Sequence, residues 1–147
     1  MLKIDVKNFN DLTTKELYAL LQLRSEIFVV EQDCVYQDID YKDQKASHIL
    51  GYQNEKLVAY TRVFDAGIYF DQASIGRVLV RENARNHKYG YDIMNASIDA
   101  ITLNYGEQPI KISAQTYLKT FYNNLGFVEL GEEYLEDGIP HIAMLRS

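Results

Sequence analysis

Residues 75–98, IGRVLVRENARNHKYGYDIMNASI, decide the fold of this chain. The stretch overlaps an apolar strand that we predict over residues 74–80, and a polar turn over residues 81–88 follows it. Gly90 then leads into a helix that we predict to end near Asn104. The apolar or small residues on one face of this helix recur at helical spacing: Ile93, Met94, Ser97, Ile98 and Ile101.

The turn before this helix has the features of an anion site. The first backbone N–H groups of a helix have no partner within the helix, and the helix dipole favours negative charge there. Arg85 and Lys88 add positive charge beside them. The turn is therefore predicted to bind a phosphate group. Taken alone, the same residues also fit a solvated turn with no ligand, which is the commoner origin of such a pattern.

The remaining segments predict an α/β fold. Further strands are expected over residues 2–6, 48–52, 57–64, 109–114, 127–130 and 141–145. Further helices are expected over residues 14–29, after a capping box that begins at Thr13, and over residues 117–125. Loops are expected over residues 30–45 and 132–140. This order predicts a single domain over residues 1–147, with a mixed, mostly antiparallel central sheet and helices on both faces.

The bulk composition excludes some classes of function. The chain has 147 residues, of which 47% are hydrophobic and 24% charged, as in an ordinary globular protein. Its net charge of −6 argues against a nucleic-acid-binding role, which would need a basic face. An acidic excess suits a cationic partner such as an amine, although many proteins are acidic without such a partner. The 12 tyrosines leave room for a homodimer.

Cysteine usage and hydropathy predict a cytoplasmic protein without metal. Cys34 is the single cysteine, so it forms no intrachain disulfide, and we interpret it as incidental. No secretory signal pattern is present, and no apolar stretch approaches the ~20 residues that span a bilayer. Asp38, Asp40 and Asp43 lack the spacing of a calcium loop, and we interpret them as a solvated or substrate-facing acidic loop.

Two motifs give the chain a resemblance to a known family. Residues 121–127, FYNNLGF, match Phe-Tyr-x-x-x-Gly-Phe in full. Residues 85–90, RNHKYG, match Arg/Gln-x-x-Gly-x-Gly/Ala, except that Lys88 replaces the first glycine. With the order of elements, these motifs resemble the GNAT family of acyl-CoA-dependent N-acetyltransferases, across essentially the whole chain. Four stretches resemble its ElaA-type branch: residues 20–32, 36–40, 48–52 and 136–144.

The resemblance implies acetyl-CoA as co-substrate and assigns its phosphate site. The backbone N–H groups that would hold the pyrophosphate belong to Asn86, Lys88, Gly90 and Tyr91, with Arg85 framing the turn. This assignment agrees with the anion site expected at a helix N-terminus. The lysine charge of Lys88 is expected to compensate for the missing glycine.

The resemblance also implies a splayed strand pair. The main chain of Val78, Leu79 and Val80 would face the pantetheine arm, where their strand diverges from residues 110–114. The N–H of Val78 would lie where the thioester oxygen becomes an oxyanion. Gln115 stands where the family often has an asparagine bonded to the cofactor. The alternative for residues 78–80 is a plain core strand.

Tyr122 is the candidate catalytic residue. A thiolate leaves when an amine attacks a thioester, and a tyrosine hydroxyl with a pKa near ~10 can protonate it as a general acid. Tyr122 also lies on an apolar stripe with Leu118 and Leu125, where a core role is the usual one. The family motif is what favours the catalytic assignment.

The acceptor site is less defined in the sequence. The acceptor amine is protonated at neutral pH, so a base or a water chain must remove a proton. Glu31, His48 and His141 are the candidate base or substrate-orienting residues, in a mouth walled by residues 30–48.

These observations predict an acetyl-CoA-dependent N-acetyltransferase that acts on a small-molecule or peptide amine. Two alternatives remain at this stage: a non-catalytic acyl-CoA-binding regulatory module, and a structural interaction domain that keeps only the fold.

Overall fold

The computed structural model describes residues 2–147, which form a seven-stranded sheet flanked by helices. The strands are β1 Lys3–Asn8, β2 Ser47–Gln53, β3 Lys56–Phe64, β4 Ala73–Val80, β5 Ile110–Gln115, β6 Val128–Glu136 and β7 Ile139–Arg146. The α-helices are α1 Thr14–Arg24, α2 Tyr89–Tyr105 and α3 Lys119–Asn123. The strand order is β1-β2-β3-β4-β5-β7-β6, and every neighbouring pair is antiparallel except β4–β5. The predicted fold class is confirmed.

The parallel pair β4–β5 diverges almost at once. Its paired positions are Ala73 with Ile110 and Ser74 with Lys111, and the ladder stops there. The register of β4 against β3 shifts between Tyr60 and Arg62, opposite the point where Arg77 has a φ of +50°. An extra residue of this kind bends a strand and increases its twist, so the bulge turns β4 away from β5. The predicted splay is therefore present.

Two apolar cores cover the two faces of the sheet. Helix α2 packs on one face through the residues predicted from its periodicity, and Ile93, Met94 and Ile101 are among the most buried in the chain. Helix α1 packs on the other face, where Leu20 and Leu23 belong to the second core.

The start of α1 and the end of α2 follow their sequence signals. The Thr13–Glu16 capping box is formed, and Gly106 ends α2 with a φ of +91°.

The helix predicted over residues 14–29 is confirmed, with a change of winding. After Arg24 the chain continues as π-helix over Ser25–Glu31, which places Ile27 and Phe28 in the second core. Wider helical turns of this kind often occur beside functional sites. Here the π-helical segment ends at the rim of the cleft described below.

The acidic connection predicted over residues 132–140 is wrong. Strand β6 continues to Glu136, and Asp137–Gly138, with positive φ values of 52° and 77°, form a two-residue hairpin turn into β7. The apolar pattern of the sequence does not indicate the full length of this strand, because β6 is at the edge of the sheet and all of its residues are exposed. It therefore lacks the apolar alternation that marks a half-buried strand.

The interpretation of Asp38, Asp40 and Asp43 as a solvated or substrate-facing loop is also wrong. Asp38 and Asp43 are buried, at 7% and 4% exposure, and the loop packs over the sheet. Three arginines meet the three carboxylates: Arg24 from α1, Arg62 from β3 and Arg77 from the β4 bulge. We call these six residues the arginine–aspartate cluster.

Asp38 and Asp43 each accept hydrogen bonds from two arginines of the cluster. Asp38 accepts from Arg24 Nε at 2.9 Å and from Arg77 Nε at 2.7 Å. Asp43 Oδ1 accepts from Arg24 Nη1 at 2.7 Å and from Arg62 Nη1 at 3.0 Å. Buried charges are tolerated when they are paired and hydrogen-bonded. Each charge of the cluster is paired, although Nε of Arg62 is buried without a hydrogen-bond partner among residues 2–147. The cluster ties the loop to α1, β3 and β4 at once.

We expect Asp43→Asn to destabilise the fold by about 3 kcal/mol, because it leaves two buried guanidinium groups short of one countercharge. Chemical denaturation followed by circular dichroism measures the free energy of unfolding. Asp33→Asn, at an exposed position of the same loop, is the matched control and should change it by less than about 0.5 kcal/mol. Equal effects for the two variants would contradict a structural role for the cluster.

The same cluster predicts acid sensitivity. Burial opposes ionisation of Asp40, but hydrogen bonds and charge from Arg62 outweigh it and lower the pKa of Asp40 to about 2; Arg24 and Arg62 likewise lower the pKa of Asp43. Because the unfolded chain binds these protons more readily, the stabilisation is complete above about pH 4 and is lost as the pH falls toward 2. Unfolding free energies measured between pH 2 and 6 should therefore fall most steeply below pH 4, and a flat profile there would contradict the prediction.

Candidate active site

The divergence of β4 from β5 opens a cleft in the sheet. One side is formed by β4 and its bulge, the other by β5 and β7, and the π-helical segment and the loop after it cover the face that carries α1. Side chains around the cleft include Phe28, Gln32, Cys34, Tyr36, Arg77, Val78, Ser113, Gln115, Tyr122, Glu136 and His141. Gln32, Cys34 and Tyr36, from the loop after the π-helical segment, thus line one side of the cleft.

The backbone of β4 offers hydrogen-bonding groups to the cleft. Arg81 N–H donates to Val58 O at 2.7 Å, and Leu79 and Val80 are registered on Tyr60 and Ala59. Hydrogen-bonded pairs alternate along an antiparallel ladder, so the main chain of Leu79 faces β3 and that of Val80 faces away from it. Accordingly, Val80 O accepts from the Arg85 side chain.

The three strand residues expected to face a pantetheine arm therefore differ in position. Val78 follows the bulge and lines the cleft. Val80 directs its main chain away from β3. Leu79 is buried in the second core, so it supports the strand rather than the cleft.

The turn before α2 presents unpaired backbone N–H groups. Among residues 2–147, no backbone acceptor meets the N–H groups of residues 86–90. Tyr91 N–H, in contrast, donates to Lys88 O at 3.1 Å. Of the four N–H groups expected to face phosphate, those of Asn86, Lys88 and Gly90 are available, and those of His87 and Tyr89 join them.

Lys88 is the N-cap of α2 and has φ +62° and ψ +22°, a left-handed conformation. Glycine adopts this conformation freely, whereas for other L-residues it costs roughly 1–2 kcal/mol. The backbone thus keeps the geometry that a glycine would give, although the residue has changed. The helix begins at Tyr89, one residue before the predicted glycine, so Gly90 lies inside the first turn.

The two sequence motifs touch in space. A Cβ added to Gly90 would lie 3.2 Å from Cζ of Phe121, tighter than ordinary contact, so glycine permits this close approach. The rings of Tyr91 and Phe121 lie 4.7 Å apart, and Asn124 Nδ2 donates to the Tyr91 hydroxyl at 3.0 Å. The helix that carries Tyr122 is therefore held against the turn that offers the N–H groups.

Tyr122 is 5% exposed, and its ring makes edge-to-face contacts with Phe121 and Phe127. It lines the cleft, and its hydroxyl has no hydrogen-bond partner among residues 2–147. Burial, and to a smaller extent Tyr117, raise the pKa of Tyr122 above its usual value. At neutral pH the residue is therefore a protonated phenol with an unused O–H donor.

Arg85 and Glu31 lie together at one rim of the cleft. Arg85 Nη2 donates to Glu31 Oε2 at 2.8 Å, and Arg85 Nε donates to Val80 O at 3.0 Å. Arg85 thus braces the turn against β4. Glu31 lies beside the turn and is not among the residues that line the cleft.

His48 is fully buried and has both ring nitrogens occupied. Nε2 donates to Asp43 O at 2.9 Å, which leaves Nδ1 to accept from the Tyr60 hydroxyl at 2.6 Å. Burial lowers the pKa of His48, so the ring is neutral. The structure places it in the core beside the arginine–aspartate cluster, outside the cleft.

His141 does line the cleft, next to residues that the sequence did not single out. Nδ1 donates to Ile139 O at 2.7 Å, and Nε2 lies 3.5 Å from Glu136 Oε2. Tyr134 stacks on the imidazole, and its hydroxyl meets that of Ser113, which in turn donates to Glu136 Oε1 at 3.3 Å. The hairpin at Asp137–Gly138 pairs Tyr134 with His141 and Glu136 with Ile139, and Asp-Gly is the local sequence signal for such a turn.

Two contacts cross the cleft. Gln115 Nε2 meets Gln32 Oε1 at 3.5 Å, and the thiol of Cys34 donates to Asp137 O at 3.3 Å. They join the loop after α1 to β5 and to the β6–β7 turn. Gln115 therefore sits between the two walls.

Residues 2–147 contain neither a metal cluster nor a membrane-spanning helix. No group of three or more histidine, cysteine, aspartate or glutamate side chains in this range is arranged to hold a metal ion. None of the helices in this part of the chain is both long and apolar enough to cross a membrane.

Comparison with known proteins identifies the family. The model of the acetyltransferase (GNAT) domain matches residues 11–147. Protein ElaA of Escherichia coli is 44% identical over 140 residues, covering 94% of this chain and 92% of ElaA. Its crystal structure has a TM-score of 0.93 at 41% identity, with both chains fully covered.

Two other solved structures extend the comparison. An acyl-CoA N-acyltransferase from Pseudomonas aeruginosa has a TM-score of 0.94 at 42% identity, with full coverage of both chains. A GNAT acetyltransferase from Elizabethkingia anophelis, solved with acetyl-CoA bound, has a TM-score of 0.65 at 14% identity and covers 99% of this chain and 97% of its own, which shows the shared fold alone. The chain therefore belongs to the GNAT acetyltransferase family and is a close relative of ElaA.

Proposed function

We propose that this protein, as one acetyltransferase domain over residues 1–147, transfers the acetyl group of acetyl-CoA to a primary amine by direct attack, with Tyr122 as general acid. The observation that carries the proposal is the contact between Gly90 and Phe121. This contact joins the turn before α2, whose N–H groups are unpaired, to α3, the helix that carries Tyr122 and its unpaired hydroxyl. A thioester cofactor with a pyrophosphate needs both features within reach of one cleft.

The pyrophosphate would bind the turn of residues 86–90. Five consecutive N–H groups without a backbone acceptor, at the start of a 17-residue helix, form an anion site. The ammonium group of Lys88 and the guanidinium of Arg85 add positive charge. Glu31 already pairs with Arg85, so the backbone rather than this side chain would supply most of the binding.

The acyl arm would follow β4 into the cleft. Val80 turns its backbone groups away from β3, and Val78 lines the cleft just after the bulge. A ligand amide can take the place of the missing β5 ladder there. The N–H of Val78 is our candidate donor to the thioester oxygen as negative charge develops on it.

Tyr122 would act when the tetrahedral intermediate collapses. The C–S bond breaks, and the phenol transfers its proton to the departing thiolate. The proton that leaves the new amide nitrogen restores the phenol. A raised pKa keeps the hydroxyl protonated until then.

Gly90→Ala should weaken acetyl-CoA binding about tenfold, or about 1.4 kcal/mol, because the new methyl group pushes Phe121 and the turn apart. Isothermal titration calorimetry with acetyl-CoA measures this. Gly90→Ala combined with Phe121→Leu should recover part of the affinity, since leucine lacks the ring atoms that the new methyl group would meet. Asn95→Ala, on the exposed face of α2, is the control. Unchanged affinity in Gly90→Ala would remove the main support for the cofactor site.

Tyr122→Phe should lower kcat by roughly 10²-fold or more while the Kd for acetyl-CoA stays unchanged, because the variant keeps the ring and loses the hydroxyl group that donates the proton. A thiol-release assay over a panel of primary amines measures the rate. Tyr18→Phe, on α1 and 77% exposed, is the matched control. Full turnover by Tyr122→Phe would exclude the general-acid role. Binding of acetyl-CoA by the wild type without thiol release for any amine would instead indicate a non-catalytic module.

A further inference from the structure

We propose that Glu136 and His141 form the site that receives the acceptor as its ammonium ion, and that Nε2 of His141 removes the proton before attack. The inference rests on the proposed function and adds to it the base and the charge state of the acceptor. Both residues line the cleft, and their side chains are 48% and 8% exposed.

The hydrogen bonds around His141 fix its tautomer. Nδ1 lies 2.7 Å from Ile139 O, a carbonyl that can only accept, so Nδ1 carries the proton. In the neutral ring, Nε2 is then an unprotonated acceptor. It faces Glu136 Oε2 at 3.5 Å, which is another acceptor. The two atoms can share a proton, and an ammonium group beside them can donate one N–H bond to each.

Two consecutive hydrogen bonds position the carboxylate of Glu136. The Ser113 hydroxyl donates to Oε1 at 3.3 Å, so it must itself accept from the Tyr134 hydroxyl. This arrangement satisfies Oε1 and leaves Oε2 directed at His141. Tyr134 also stacks on the imidazole, with ring centroids 6.2 Å apart. These contacts restrict the side-chain rotamers of Glu136 and His141.

The charge balance of the cleft favours a cation at this point. The three arginines of the arginine–aspartate cluster are matched by its three aspartates. Glu136 and Asp137, in contrast, have no arginine or lysine partner within residues 2–147. A protonated amine would therefore be attracted to the side of the cleft formed by β6 and β7.

The other candidate bases fit the role less well. His48 has both nitrogens occupied in the core, and Glu31 pairs with Arg85 beside the phosphate turn. Asp38 and Asp43 are buried and already accept hydrogen bonds from arginines. Cys34 donates its thiol proton to Asp137 O. Of these candidates, His141 is the one that lines the cleft and keeps an acceptor atom free of hydrogen bonds.

Protons balance across the step. The ammonium transfers one proton to Nε2 of His141, and the amine nitrogen then forms the C–N bond to the thioester carbonyl. The C–S bond breaks, and the second proton of the nitrogen replaces the one that Tyr122 gives to the thiolate. His141 releases its proton to solvent, so the net products are the amide, the free thiol and one proton.

The kinetic test uses His141→Gln and Glu136→Gln with the most active amine of the panel. His141→Gln should lower kcat/KM by roughly 10²-fold or more and abolish the acidic limb of its pH profile, with the Kd for acetyl-CoA unchanged. The titratable or charged side chains that share the cleft with His141 are Cys34, Tyr36, Arg62, Tyr69, Arg77, Tyr122, Glu136 and Asp137, and Tyr134 stacks on its ring. Glu136→Gln should raise KM for the amine more than it lowers kcat, because it removes the charge that would bind the ammonium group. Imidazole should restore part of the rate to His141→Ala, which a purely structural role would not allow. His141→Gln with wild-type kinetics, or no rescue of a folded His141→Ala, would overturn the proposal.

A binding test separates this inference from the proposed function. Benzylamine added to the complex with desulfo-CoA should shift the ¹⁵N resonance of His141 Nε2, and benzyl alcohol should not. Glu136→Gln should weaken the benzylamine effect at least tenfold. A shift in a protein that releases no thiol with any amine would support the ammonium site while refuting the transferase activity. Turnover without a shift would refute the ammonium site alone.

Discussion

The arginine–aspartate cluster is the interaction on which the architecture of the cleft depends. Asp38 lies between Arg24 of α1 and Arg77 of the β4 bulge, so one carboxylate links a helix, a loop and a strand. Arg77 has a positive φ, a conformation that costs energy for any residue with a Cβ. Its salt bridge to Asp38 helps to hold that conformation. The bulge turns β4 away from β5, and the same ion pairs hold the covering loop above the opening.

This arrangement gives the cleft two chemically distinct sides. Toward α2 and α3, it offers N–H donors, backbone groups of β4 and a neutral phenol. Toward β6 and β7, it offers carboxylates and an imidazole. The charges in between are cancelled in pairs within the cluster. An anionic cofactor and a cationic acceptor would thus each meet the side that matches it.

The sequence predicts the parts of this structure that depend on local signals. The periodic apolar face and closing glycine of α2 have strong local causes, as does the capping box of α1. Strand β6 has no such signal because it buries nothing. The ion pairs of Asp38 join residues 14 and 39 positions apart, and no spacing rule identifies such partners. His48 and His141 likewise look alike in the sequence, and only the fold shows that one is enclosed and the other faces the cleft.

The exposed edge of the sheet has a consequence for how copies of this chain meet in solution. Strand β6 presents nine exposed residues and an unpaired row of backbone groups, which is a template for another strand. Four of those residues are glutamates, Glu129, Glu132, Glu133 and Glu136, so two such edges repel each other at neutral pH. The strand that carries Glu136 to the cleft thus also disfavours edge-to-edge association of two copies of the chain.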